Sequence, residues 1–307
     1  MNKKYYNAPE FSKQYNLGNP FDLDDDEAYH AWLDHKLDNY PQSIDDIVVE
    51  ISDTRNPSKA EIDAITALNR KTNMAIYAGN TGSDPDKSIA SDLAAHFGLT
   101  NPDDNMGADD GITTLRVVNE DWHGEYIPYT NRLIHWHTDG YYNAADRQIQ
   151  ALMLHCVSPA TEGGENALLD HEIAYIRLRQ ANPEYIHALM QPDAMTIPAN
   201  INKKGEVIRP DRVGPVFSIM PDGNLHMRYT ARTRSIKWKR NRITSEAVSL
   251  LTSYLNSDSP YIYRGTLQSG QGLISNNVLH DRSGFTDEGE NKRMLYRLRY
   301  FQRVAHT

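Results

Sequence analysis

The chain has 307 residues, with 24% charged and 39% hydrophobic side chains, enough to fill a core without disulfide or metal staples. A formal charge of −9 argues against a general nucleic-acid surface. The sequence contains neither an apolar leader nor a run of about 18 apolar residues, so no membrane span is expected and the default is a cytoplasmic protein acting on a small molecule, with a homo-oligomer left open. The one cysteine, Cys156, lies in the apolar run 151–157 and is expected to be a buried small hydrophobe.

Taken in order, residues up to about 23 read as a polar lead-in. Acids at Asp24–Glu27 open a helix that carries Tyr29, Trp32, Leu33 and Leu37 at helical spacing and stops before Pro41. Ser58 and Glu61 have the form of a capping box for a second helix ending near Lys71. A strand over 74–77 and a helix over 88–97 complete a mostly helical stretch, 1–112, that carries no clustered ligand residues and reads as scaffold. From Thr113 the pattern changes to short β-prone runs at 114–118, 134–139, 149–157 and 166–169. A helix interrupted at Pro183 covers 172–189, and the 216–220 and 225–229 runs flank a hairpin signal at Pro221–Asn224. A last amphipathic helix passes through Ala247, Leu251 and Leu255, before strands at 261–266, 273–279 and 294–304. Short strands with helical insertions and no repeat predict one domain over 1–307. Its expected class is mainly β with helical insertions, a jelly-roll core at 113–307 behind the helical N-terminal part.

The stretch Ile134–Tyr142 concentrates the chemistry. In an extended strand His137 and Asp139 face the same way, about 7 Å apart along the backbone, near enough to share a metal ion. Two histidines and one carboxylate on one face of a metal, with other positions open, suit non-haem Fe(II) oxygenases, and His280 is a candidate third ligand. A His-X-acid pair alone is weak, since 12 histidines and 41 acids produce such pairs by accident; a rival stands at His123-Gly124-Glu125, where the glycine favours a turn. His135 with His137 and His280 would instead make a three-histidine set. At the C-terminal strand, alternation puts Arg293, Arg297 and Arg299 on one face, which is either an edge exposed to solvent or an inward face that requires anions. The cationic run 228–234 offers further candidates or a solvated surface.

Together, Trp136-His137-Thr138-Asp139, the Gly163-Gly164 turn, Asn277 to Arg282 and Arg293 to Arg297 resemble the taurine dioxygenase and 2,4-dichlorophenoxyacetate dioxygenase family, which includes clavaminate synthase. The resemblance covers roughly residue 113 to the end. It implies a double-stranded β-helix in which His137, Asp139 and His280 hold Fe(II) and 2-oxoglutarate is the cosubstrate, pairing through its distal carboxylate with Arg293. It also implies consumption of O2 with release of succinate and carbon dioxide, and oxidation of an unactivated C–H bond. Arg297 matches a position used for anionic substrate groups, with Trp136, Tyr141 and Tyr142 as further substrate contacts. Asn166 occupies the place where the family often has a hydroxyl for the cosubstrate. Because relatives that halogenate lack the carboxylate, Asp139 implies hydroxylation or a related oxidation of a small anionic or amino-acid-like molecule. Two alternatives of other classes are a catalytically silent metal-binding barrel and a cupin-type enzyme using His135.

Overall fold

The structure is a computed structural model that describes residues 5–103, 110–117, 127–202, 204–232, 236–289 and 292–307. The rival pair at His123 and Glu125, Val118, and Thr233 with Arg234 lie outside the described residues.

Helix α1, Ala8–Tyr15, replaces the expected polar lead-in. Asn7 caps it by accepting from the Glu10 amide at 2.9 Å, Pro9 sits in its first turn, and only Ala8 and Phe11 are buried. So short an apolar face leaves no periodicity to detect. Helix α2, Asp26–Leu37, buries Tyr29, Trp32 and Leu33, and α3, Lys59–Thr72, begins with the expected capping box, in which Glu61 accepts from the Ser58 amide at 2.6 Å. Helix α4 spans Ser88–Ala95. The expected break at Pro183 divides α5, His171–Ala181, from α6, Pro183–Leu189, with Asn182 capping the second. Helix α7 is Arg242–Leu255.

Two sheets form the body. The larger has six strands in the order Val48–Glu50, Met74–Ala78, Gln271–Ser275, Ala151–Ser158, Met294–Tyr300 and Ile112–Leu115, antiparallel except for the first pair. The smaller has four, Tyr263–Gly265, Asn166–Leu169, Leu279–Arg282 and Ile134–His137. Along Ala151–Ser158 the pleat divides the core: Leu152, Leu154 and Cys156 join a cluster shared with Leu168, Leu273, Leu279 and Leu295, whereas Ala151, Met153 and Val157 pack with Ile65, Ala90, Leu93 and Phe97 beneath α3 and α4. Cys156 is buried and burial pushes its thiol up to about 12, so it is an inert core residue. The first cluster also contains Phe11, Phe21 and Trp32, which packs the N-terminal helices onto the barrel.

Several expected strands stop early, and two of the breaks shape the site. The run 273–279 is interrupted by a turn in which Asn277 takes a left-handed φ of 52°, and the chain passes there from the six-stranded sheet to the four-stranded one. The strand through His137 ends at that residue, so Asp139 lies in the following turn rather than two places along a strand. The C-terminal strand ends at Tyr300. It is also no edge, being paired on both sides, and its register shifts between Met294 and Leu295.

Candidate metal centre

His137 and His280 are cross-strand partners in the smaller sheet, with ring centroids 4.2 Å apart. Each ring is oriented by its own backbone. Nδ1 of His137 lies 2.9 Å from the carbonyl oxygen of His135, and Nδ1 of His280 lies 3.0 Å from that of Val278. A carbonyl only accepts, so both Nδ1 atoms carry a proton, and it is Nε2 that offers the lone pair when the ring is neutral. Burial, reinforced by the neighbouring His137, pushes His280 down to about 4, which makes its imidazole neutral near pH 7.

Asp139 reaches the pair from the turn. Its chain is held there by residues with no ligand role: Thr138 exchanges both its amide and its Oγ1 with the Tyr229 backbone, each at 3.0 Å. Asn277 accepts from the Asp139 amide at 2.8 Å and donates to the carbonyls of Asp139 and Ile149 at 2.9 and 2.8 Å. The turn closes at Gly140, where φ is +70° and a Cβ would stand 2.4 Å from Ile149 Cγ1, so no larger residue fits. Burial pushes the Asp139 carboxyl upward. Arg297, the His137 contact and Arg299 more than offset this and hold it well below the usual carboxylate range. One donor atom from each of His137, Asp139 and His280 lies within 4.8 Å of the others, with His137 Nε2 and Asp139 Oδ1 3.6 Å apart. Asp139 Oδ2 is buried and has no hydrogen-bond partner among the described residues. Two imidazoles turned by their Nδ1 contacts to present Nε2, one ionised carboxylate and an orphaned buried oxygen suit a divalent cation such as Fe(II). His135 is exposed and outside this group, so the three-histidine set is not assembled; its carbonyl orients His137 instead.

The arginines divide by role. Arg293 is 4% exposed, lies with its guanidinium 5.0 Å from the Phe285 ring, and has no carboxylate within ion-pair distance among the described residues. The Gly163-Gly164 turn makes room for it. Gly163 runs at φ +75° with the Gly284 carbonyl 2.3 Å from where a Cβ would be, and Gly164 at φ +74° passes against Arg293 Nε. Arg297 Nη1 lies 3.5 Å from Asp139 Oδ1. Arg299 is already matched, donating to Asp103 at 2.5 Å and to the Tyr142 hydroxyl at 2.7 Å, and Arg228 gives its donors to the carbonyls of Met195, Gly214 and Pro215. Those two are structural.

Of the expected substrate contacts, Tyr141 stands edge-on to the His137 ring at 6.3 Å and Tyr142 stacks edge-on against Tyr141. Trp136, by contrast, points away from His137 by strand alternation and is buried in the core at 5% exposure. Asn166 donates through Nδ2 to the Asp281 carbonyl at 2.7 Å, so its amide group is engaged by the strand that carries His280. Asn277 is the residue that sequence reasoning passed over. The available signal was an asparagine pair directly before an apolar-His run, a place where a strand can turn.

A sequence profile of the family described as taurine catabolism dioxygenase TauD, TfdA family matches residues 42–299. A uridine-5'-phosphate dioxygenase from Streptomyces sp is 30% identical over 198 residues, covering 61% of this chain and 69% of that protein. A second protein of that name, from Amycolatopsis sp, is 28% identical over 172 residues, covering 54% of this chain and 60% of its own. Among solved structures, asparagine oxygenase in complex with Fe(II), 2S,3S-3-hydroxyasparagine and succinate superposes with a TM-score of 0.54 at 14% identity, covering 91% of this chain and 85% of its own. The non-haem iron oxygenase OrfP in complex with Fe and alpha-ketoglutaric acid does so at 0.58 and 15%, covering 80% and 81%. These two likenesses establish a shared double-stranded β-helix fold. With the profile covering most of its length, the chain belongs to the TauD/TfdA family and is an Fe(II)- and 2-oxoglutarate-dependent dioxygenase.

Proposed function

We propose that His137, Asp139 and His280 hold the iron, that Arg293 receives the distal carboxylate of 2-oxoglutarate, and that Arg297 helps orient the substrate. The reaction is hydroxylation of a C–H bond in a small anionic molecule. The observation that carries this reading is the convergence of two Nδ1-protonated imidazoles with a buried carboxylate whose Oδ2 has no partner among the described residues. Fe(II) with 2-oxoglutarate supplies, when bound, the oxidation of the substrate by O2 coupled to formation of succinate and carbon dioxide.

The protein's own residues do the positioning. The carbonyls of His135 and Val278 fix the two rings, and Asn277 fixes the turn that presents Asp139, so three ligands from two strands and a turn keep one geometry without the metal's help. Arg293 is a buried cation with a planar fork, matched to a carboxylate. Arg297 offsets the negative charge of Asp139 and turns a second cation toward the substrate side. Asn166 supplies no hydroxyl and spends its amide on Asp281, so it adds little to Arg293 in holding the cosubstrate. The names of the two sequence relatives favour a substrate that bears phosphate. The −9 charge supports a small molecule rather than a nucleic acid, and no described helix is long and apolar enough to cross a membrane, which is consistent with the cytoplasm. Core residues shared between the N-terminal helices and the barrel support a single dioxygenase domain over 1–307.

Adding Fe(II) and then 2-oxoglutarate to the protein without O2 is expected to give a visible charge-transfer band, and admitting O2 to give succinate. Bound metal with no band would sink the reading and favour a catalytically silent barrel. Asp139→Ala is expected to lose iron where His135→Ala keeps it, and the reverse would restore the three-histidine alternative.

A further inference from the structure

On a chain of charge −9, cations gathered at one place are a built feature. The segment Tyr229–Arg232 runs beside the metal motif: Thr230 bridges to His137, and the Ala231 amide donates to the Trp136 carbonyl at 2.8 Å. Arg232 follows directly, exposed, with Nη1 3.5 Å from the Tyr141 hydroxyl. A second element arrives from the other side. Arg228 Nη1 contacts the carbonyls of Arg212 and Tyr141 at 3.3 and 3.4 Å, which sets strand Arg212–Gly214 against Tyr141. The half-buried Arg212 has its Nε buried and without a hydrogen-bond partner among the described residues.

Arg209 stands behind them, anchored to the carbonyls of Pro198 and Pro210 at 2.7 and 2.8 Å. Burial and then the positive charge of Arg212 lower its pKa, while Tyr141, Asp211 and Tyr142 act on it in the other direction, so one carboxylate shares the neighbourhood of these cations and rings. Among the described residues no carboxylate lies within ion-pair distance of Arg209, Arg212 or Arg232. Asp103 is paired with Arg299, and Asp211, which accepts from the Ala199 amide through Oδ1, offsets one of the three cations. Three guanidiniums against one carboxylate leave positive charge in excess, which a further anion would offset. A carboxylate satisfies one guanidinium fork. A phosphate monoester, with about two charges and three acceptor oxygens, satisfies several.

We infer that Arg212 and Arg232, backed by Arg209, are the seat of a phosphate monoester group on the primary substrate, at the mouth of the metal centre beside Tyr141. This deepens the proposed function and rests on His137, Asp139 and His280 being the iron site. The test is calorimetric titration of the protein loaded with Fe(II) and 2-oxoglutarate without O2, using uridine 5'-monophosphate, uridine and inorganic phosphate as probes. Uridine 5'-monophosphate is expected to bind at least about tenfold more tightly than uridine, with inorganic phosphate competing, as charge-assisted hydrogen bonds to one phosphate require. Arg212→Gln and Arg232→Gln are each expected to weaken it by about tenfold while leaving the weak uridine binding unchanged. Arg212→Lys, which keeps the charge and loses the fork, is expected to fall between and shows that the effect is not one of folding. Equal binding of nucleotide and nucleoside, no binding of any phosphate probe, or variants that bind like the wild type would overturn the inference. The charge-transfer band is read in the same samples: a band with no phosphate discrimination removes the phosphate seat alone, whereas absence of the band removes the iron assignment beneath it.

Discussion

The molecule buries two groups of charges, and they are built on opposite plans. Behind the barrel, Lys36 of α2 sits 2.7 Å from Asp170 and 2.5 Å from Glu172 at the start of α5, all three 3% exposed or less. Asp170 also caps α5 and accepts from Asn73 and Tyr40, so both of its carboxylate oxygens are used within the protein. At the candidate metal centre Asp139 Oδ2 and Arg297 Nε are buried without hydrogen-bond partners among the described residues, and Arg293 has no carboxylate there. Burial is similar in the two places. What differs is pairing: in the first group Lys36 stands between two carboxylates at ion-pair distance and holds α2 to α5, whereas in the second Arg293 faces no carboxylate among the described residues, as the proposed cosubstrate site requires.

The sharpest way to break this contrast is to unpair the first group. Lys36→Met strands two buried carboxylates and is expected to lower stability by about 3–5 kcal/mol, read by denaturant unfolding of the metal-free protein. The molecules that remain folded should still develop the iron–cosubstrate band at full intensity. A loss of band without a loss of stability would show that the two clusters are coupled.

Acid probes the same side of the molecule. Burial pushes His171 and His226 down to about 4 each, against the opposing effect of the Nε2–H that each ring donates to a backbone carbonyl, at Leu225 and Ile149. Their folded pKa values lie below the ordinary 6.5, so the unfolded chain binds protons first as pH falls. Stability is therefore complete above about pH 6.5 and drains between there and pH 4, by at most about 3 kcal/mol for each histidine. His226→Gln is expected to flatten that slope in unfolding curves of the metal-free protein, and an unchanged slope would remove His226 from the account.

Within the second group, Asn277→Gly keeps the left-handed turn that glycine adopts freely while deleting the clamp on Asp139. Iron affinity is expected to fall by about 10–100-fold with an unchanged far-ultraviolet dichroism spectrum. An unaltered affinity would mean that Thr138 and Tyr229 alone hold the turn.

How much of this was readable in advance follows from the range of the interactions. The capping box at Ser58, the break at Pro183 and the hairpin around Gly223 are local, fixed by neighbours in sequence, and stand where the residues put them. His137, Asp139 and His280 were legible as a set from residue type and order, yet the reason for their meeting was not. Simple alternation places Asp139 two steps along a strand, whereas it reaches the metal face from a turn held by a side chain 138 positions away. Trp136 shows the same limit: its place beside a ligand in sequence put it near the pocket, and the pleat turned it into the core. Arg209 and Arg212 lie in short strands with no apolar periodicity, and nothing local marks them as neighbours of Tyr141.

The smallest expected effect tests whether scaffold and site are separable at all. Ser58 accepts from the Glu61 amide at 3.3 Å and Glu61 returns to the Ser58 amide, so Ser58→Ala removes half of a reciprocal cap at the exposed start of α3. The loss is expected to be about 1 kcal/mol of stability. Helix α3 packs on strand Met74–Ala78, which lies two strands from Ala151–Ser158 and three from the arginine strand Met294–Tyr300. A frayed first turn should be absorbed before it reaches Arg293, leaving 2-oxoglutarate affinity unchanged. If that affinity falls with the cap, the six-stranded sheet transmits strain across its width, and the helical third of the chain belongs to the binding site rather than to its support.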